Sequence, residues 1–119
     1  MATIIRDHLS GCANGIPVAL AVDSGTFTTI HSITTTTADF EEVWIWLSNI
    51  STATEIVTLT FGGTSDNNKV KVTVPAEATV LAVPGWTFQG ASGPNTITGG
   101  STTANKVNVH GYINLIDAA

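Results

Sequence analysis

Short runs rich in Val, Ile and Thr recur from one end of this chain to the other, each cut off by Gly, Pro, Asn or Asp. No other feature constrains the fold as much. β-Branched residues lose side-chain freedom in a helix and pack well on a pleated surface. Many such runs between turn signals, in a short chain, imply a β-sandwich or barrel.

The first run spans Thr3 to Leu9 and stops at Ser10-Gly11-Cys12-Ala13-Asn14-Gly15, where Asn-Gly suits positive φ. Ile16 to Val22 follows, with Pro17 near its start, a placement tolerated at the beginning or edge of a strand. Thr26 to Ile33 reads as a strand, and Thr34 to Thr37 continues it or forms an exposed connection. In Val43-Trp44-Ile45-Trp46-Leu47 every position is apolar, so no helical period is visible. Asp39 would cap a helix there and Glu41-Glu42 would suit its first turn, but the unbroken apolar run favours a strand covered on both faces. One face would meet the opposite sheet; the other would meet a neighbouring subunit or a packed arm.

Glu55 to Phe61 and Lys69 to Val74 alternate, the second strictly, so it has one wet face. Gly62 to Asn68 is an extended turn and Pro75 to Ala78 a tight one. Thr79 to Val83 is expected to break at Pro84-Gly85, with Trp86 and Phe88 then sharing a face. Thr96 to Thr98 is a short strand, Gly99-Gly100-Ser101 a turn, and Lys106 to Ile116 the last strand, with Gly111 expected to mark a bulge. About eight to ten short antiparallel strands give two packed sheets. The expected fold class is all-β: one jelly-roll-like β-sandwich over residues 1–119, with residues 1–16 as an N-terminal arm and loop.

Composition narrows the function. A chain of 119 residues is one domain's worth. Hydrophobic residues make up 43% and charged residues 11%, against a usual ~25% charged, which excludes a disordered tail or a charge-laced coiled coil. Four Lys and Arg against nine Asp and Glu leave a net charge of −5, which argues against a nucleic-acid partner. Cys12 is the only cysteine, so no intrachain disulfide forms. Charges in Met1 to His8 argue against a signal peptide, and no apolar run approaches the ~20 residues of a membrane helix. The expectation is a soluble protein made in the cytoplasm, without a membrane partner.

Four segments carry a resemblance: Val43-Trp44-Ile45-Trp46-Leu47-Ser48-Asn49, Val57-Thr58-Leu59-Thr60-Phe61-Gly62-Gly63, Val72-Thr73-Val74-Pro75-Ala76-Glu77-Ala78-Thr79, and Val107-Asn108-Val109-His110-Gly111-Tyr112-Ile113 near the end. In this order, over residues 40–116, the chain resembles the small β-sandwich virion proteins of tailed bacteriophages, the capsid decoration and accessory subunits. The resemblance implies a structural role on the capsid surface of the virion, after synthesis in the host bacterial cytoplasm. It also implies homo-oligomers, commonly trimers, contact with the major capsid protein, and no catalysis.

Candidate chemistry is sparse. His8, His31 and His110 stand on separate strands and lack the paired spacing of a metal-binding cupin. Cys12 has no neighbouring base in the sequence to activate it. Glu41 and Glu42 point to opposite faces of a strand, and neither Glu55 nor Glu77 is marked as the second carboxylate of a glycosidase pair. Asp66-Asn67-Asn68, with Asp23 or Asp117, would offer oxygens to Ca²⁺, but turn geometry explains the same residues. No enzyme activity, cofactor or metal is therefore expected.

Trp44 and Trp46 share one face, and two such rings opposite an apolar face exceed what one small core needs. With Trp86, Phe88 and Tyr112 they are expected to fill the core or an intersubunit contact, and together with Ile4, Ile5 and Arg6 of the arm they are the expected oligomer or capsid interface. A chain with so few charges is poorly protected from association, which fits an assembled subunit. The leading expectation is a capsid decoration or cement protein that stabilises the head shell. The alternative is a glycan-binding β-sandwich module of a tail or baseplate, in which the tryptophans stack on sugars.

Overall fold

The computed structural model describes residues 3–33, 39–90 and 95–117. Among them are ten strands: β1 (Thr3–His8), β2 (Val18–Ala19), β3 (Ala21–Val22), β4 (Thr28–Ile33), β5 (Phe40–Asn49), β6 (Glu55–Phe61), β7 (Lys69–Val74), β8 (Thr79–Gln89), β9 (Asn95–Ser101) and β10 (Val107–Asp117). One sheet runs β1-β10-β5-β8, with β2 also paired to β10; the other runs β3-β9-β6-β7, with β4 also paired to β9.

The antiparallel pairs are nested: β6 with β7, β5 with β8, β4 with β9, and β1 and β2 with β10. This is one long hairpin, tipped by the turn after Phe61, rolled into two facing sheets, which is the jelly-roll plan. The all-β sandwich is therefore what the turn-punctuated runs imply. One pair departs from the antiparallel expectation: β3 lies parallel to β9.

Alternation builds the core. On β5 Val43, Ile45 and Leu47 point inward, and they meet Val57, Leu59, Ile97, Val107 and Val109. Each fully buried aliphatic side chain of this kind contributes about 1.5–3 kcal/mol. Leu20 marks where the chain changes sheets: it is fully buried between β2 and β3, and its N–H donates to Val107 O at 2.9 Å.

Four local expectations differ from the structure. β8 does not break at Pro84-Gly85. It is an edge strand, where a missing N–H is tolerated, and two register shifts against β5 absorb the irregularity. Gly99 and Gly100 lie inside β9 rather than in a turn. They are small because a Cβ on Gly99 would lie 2.9 Å from Ile30 Cδ1, and one on Gly100 2.9 Å from the Phe27 ring. Gly111 marks no bulge, since the β10–β5 register is continuous past it. It permits a close approach instead: a Cβ there would stand 1.9 Å from Trp44 O. Finally, Thr3–His8 is the exposed edge strand of the first sheet, paired along its length with β10, rather than a free arm. The Thr34–Thr37 stretch falls outside the described residues.

Candidate functional site

The sheets differ in their outer faces. On the β6–β9 side the outward residues include Thr58, Thr60 and Thr98, with Lys69 and Lys71 on edge strand β7, and Thr60 and Thr98 hydrogen-bond to each other. The lysines guard that edge against further strand pairing.

The outer face of the β1-β10-β5-β8 sheet is aromatic. Opposed residues of an antiparallel pair share a face, so register places His8, Tyr112, Trp44 and Pro84 in one row. His110, Trp46 and Leu81 form the next. The rings lie against one another. Trp44 and Tyr112 stack with centroids 6.0 Å apart, Trp46 and His110 at 6.0 Å, and Trp44 and Trp46 at 6.4 Å. Tyr112 also meets Trp46 at 5.9 Å. The indoles, Tyr112 and His110 are half-buried, while Leu81 is 42% exposed. Trp44 Nε1 is enclosed without a hydrogen-bond partner among the described residues.

A polar row borders the rings. The Arg6 guanidinium sits 4.5 Å above the Tyr112 ring, and its Nε donates to Asn114 Oδ1 at 3.2 Å. Asn114 Nδ2 donates in turn to Glu42 Oε1 at 3.2 Å. The cation and the carboxylate are thus tied through one amide across three strands. Beyond this row Ile4, 68% exposed, extends the face beside Ile116 and Phe40.

The structure thus brings together Ile4, Arg6, Trp44, Trp46 and Tyr112 of the expected interface. Trp86 and Phe88 lie elsewhere. They share a face, as expected, but it is the inner one, where both meet Phe61, with ring centroids 5.6 and 6.0 Å away. Ile5 also points to the inner side and lines a cleft of about 260 Å³ with Asp7, Ser10, His31 and Glu41. Strand β5 is apolar on both faces, but no described element covers its outer one. Sequence reasoning missed His110, Glu42 and Asn114 as members of the face. Their signal was present, because positions 110, 112 and 114 alternate on β10, as 42, 44 and 46 do on β5, and therefore point the same way.

The other candidate groups are held in structural roles. His31 is not isolated: its Nε2 lies 2.6 Å from Glu41 Oε1, and both residues are buried. Glu55 Oε1 accepts from Ser101 Oγ at 2.8 Å and from Thr103 N at 2.7 Å. Glu77 occupies a turn at φ 58°. Asp66 pairs with Lys69 at 3.7 Å, and Asn68 Nδ2 donates to Phe61 O at 2.9 Å. Cys12 is buried, its Sγ 3.5 Å from Val109 O, and burial pushes its thiol pKa up. Among the described residues no group of three or more His, Cys, Asp and Glu converges as metal ligands.

No protein-family profile matches the chain, and no curated protein sequence matches it either. Among solved structures it is similar to the exo-β-1,3-galactanase of Phanerochaete chrysosporium, solved with galactose. The identity is 22% and the TM-score 0.48, over 96% of this chain and 26% of that one. The chain spans about a quarter of the galactanase's length, and a likeness this distant carries no functional information.

Proposed function

We propose that this chain is a structural subunit of a tailed-phage particle, a decoration or cement protein that oligomerises on the outside of the head shell. The observation that carries the reading is the aromatic outer face of the β1-β10-β5-β8 sheet. Aromatic side chains are enriched, and charges depleted, at the centres of protein interfaces. Here the bordering charges, Arg6 and Glu42, are joined through Asn114. Jelly rolls also serve as lectin domains and enzymes, so the fold alone does not choose the role.

Cementing is mechanical in this reading. A subunit adds buried area across the seams between copies of the major capsid protein, where the filled shell bears outward stress. The outer edge of β1 is the candidate contact, because all six of its residues are exposed and an edge strand offers unpaired backbone groups. The test is to add purified protein to undecorated shells and follow their thermal disruption. Binding at a fixed copy number with a raised disruption temperature is expected. Shells that neither bind the protein nor gain stability discard the role.

The tyrosine with a guanidinium above it and an amide beside it favours a second reading, a glycan-binding module of a tail or baseplate. Sugars stack on flat rings and bond to polar groups at their rim. A glycan array with no response that depends on Trp46 removes this reading.

A further inference from the structure

We infer that the aromatic face pairs with the same face of a second copy, about a two-fold axis running along β10, so that Arg6 of each copy meets Glu42 of the other. The inference rests on reading this face as an assembly surface and names what covers it.

Charge placement points to a second copy. Arg6 and Glu42 are the formally charged side chains at the described outward positions of this sheet. They occupy one row, on the strands to either side of β10, with Asn114 between them. Neighbouring strands lie about 4.8 Å apart, so the two positions are roughly 10 Å apart and symmetric about β10. A two-fold axis parallel to the strands and passing over Asn114 exchanges them. An isologous interface requires this relation, in which residue i contacts j and j contacts i. The intrachain bonds to Asn114 hold the two charges at these symmetric positions.

The rings obey the same operation. Tyr112 lies on the axis, one outward position along β10 from Asn114, and meets its own copy. His8 faces Trp44 of the other copy, because they flank Tyr112 in the next row. Arg, Tyr and Trp are the residues most often found as binding hot spots.

The area is modest. Strands β10 and β5 over ten residues, with β1 over its six, cover on the order of 400 Å² per copy, roughly 850 Å² in total. That lies below the ~1,000 Å² of a standard interface, so the pairing is expected to be a weak one that the symmetric charges orient. The opposite sheet is a weaker candidate, since its outward positions carry hydroxyls, two lysines and one exposed apolar side chain, Ile56, with no aromatic ring among them.

The full chain is examined by sedimentation and by size exclusion with light scattering across micromolar concentrations. A unit containing this dimer is expected. Arg6→Glu and Glu42→Arg each place like charges across the axis, and each is expected to weaken association by at least about tenfold. The double variant restores it. A second measurement does not depend on charge. Asn114→Cys is expected to cross-link between copies with a short bismaleimide, and Thr73→Cys, exposed on the outer face of the other sheet, is not.

A monomer throughout the range overturns the inference. So does association that ignores both single variants, or a double variant no better than the singles. Failure here is distinct from failure of the virion role. A charge-coupled dimer that never joins a shell keeps this pairing and loses that role, while a monomer that decorates shells does the reverse.

Discussion

His31 Nε2 lies 2.6 Å from Glu41 Oε1, and this contact ties β4 of one sheet to β5 of the other from within the sandwich. The Ser10 N–H donates to His31 Nδ1 at 2.9 Å, so Nδ1 is the acceptor and the Nε2 proton is directed at the carboxylate. The pair also holds the start of the chain, because Ser32 N donates to Ser10 Oγ at 2.7 Å and Gly11 N donates to Ile30 O at 2.8 Å.

Removing one member should therefore cost more than removing both. His31→Leu leaves the buried Glu41 carboxylate without its partner, and Glu41→Leu leaves the ring proton without an acceptor. His31→Leu should cost about 3–5 kcal/mol and Glu41→Leu about 1–3 kcal/mol, whereas replacing a buried pair by apolar residues is often near neutral. Urea unfolding of the two single variants and the double variant closes the cycle. A double variant as unstable as the sum of the singles would show that the residues act independently.

Asn49 ends the aromatic strand, and its amide organises the turns beside it. Nδ2 faces Ala53 O at 2.8 Å, Val74 O at 3.0 Å and Pro75 O at 3.2 Å, while Oδ1 accepts from Ser51 N at 2.9 Å and Ser51 Oγ at 2.8 Å. Asn49→Asp keeps the acceptor but sets a carboxylate against three carbonyls. It should cost about 3 kcal/mol or more, exceeding the loss for Asn49→Ala, because an unsatisfied buried charge costs more than a missing side chain. Denaturant midpoints at neutral pH rank the two, and the gap should narrow in acid, where the new carboxyl regains a proton to donate.

The strands were legible because most of them are set by local pattern. Glu55 to Phe61 and Lys69 to Val74 have the bounds that their alternation and flanking turns imply. The errors arose where a partner from another strand overrides local preference. Gly99 and Gly100 look like a turn in isolation, and only Ile30 and Phe27, brought in from the β4 side, explain them as strand. The aromatic face was half legible: Trp44 and Trp46 share a face by spacing alone, but register against β10 adds Tyr112, His110 and Asn114. The His31–Glu41 pair was not legible, because residues on consecutive strands of different sheets meet only once the hairpin rolls up.

The thiol of Cys12 should make stability fall at alkaline pH. Burial raises its pKa above the usual 9.0, so the folded state holds the proton more tightly than the unfolded state. The contribution is fully present below the unfolded pKa and is lost as pH rises from there towards the folded value. The slope is at most about 1.4 kcal/mol per pH unit. Comparing the chain with Cys12→Ala on either side of this window isolates the effect. Alkylation should also be far slower in the folded state than in urea, and equal rates would mean that the thiol is open in solution.

Gly111 should be the glycine least able to accept a methyl group. Its position on β10 faces the Trp44 carbonyl, and a Cβ would stand 1.9 Å from that oxygen and 2.9 Å from the carbon. Backbone cannot rotate aside as a side chain can, so β10 and β5 must separate at the centre of the sheet that carries the rings. Gly111→Ala should therefore exceed the usual ~1–3 kcal/mol of an overpacked site. Gly15→Ala is the control. Gly15 has φ 74° with nothing within 4 Å of its would-be Cβ, so only backbone strain of about 1–2 kcal/mol applies. Because the parting strands carry Trp44, Trp46 and Tyr112, Gly111→Ala should also weaken the near-ultraviolet circular dichroism of the stacked rings at temperatures where the chain remains folded. Gly15→Ala should leave that signal intact. Equal stability losses with an unchanged ring signal in both variants would mean that β10 does not approach β5 this closely.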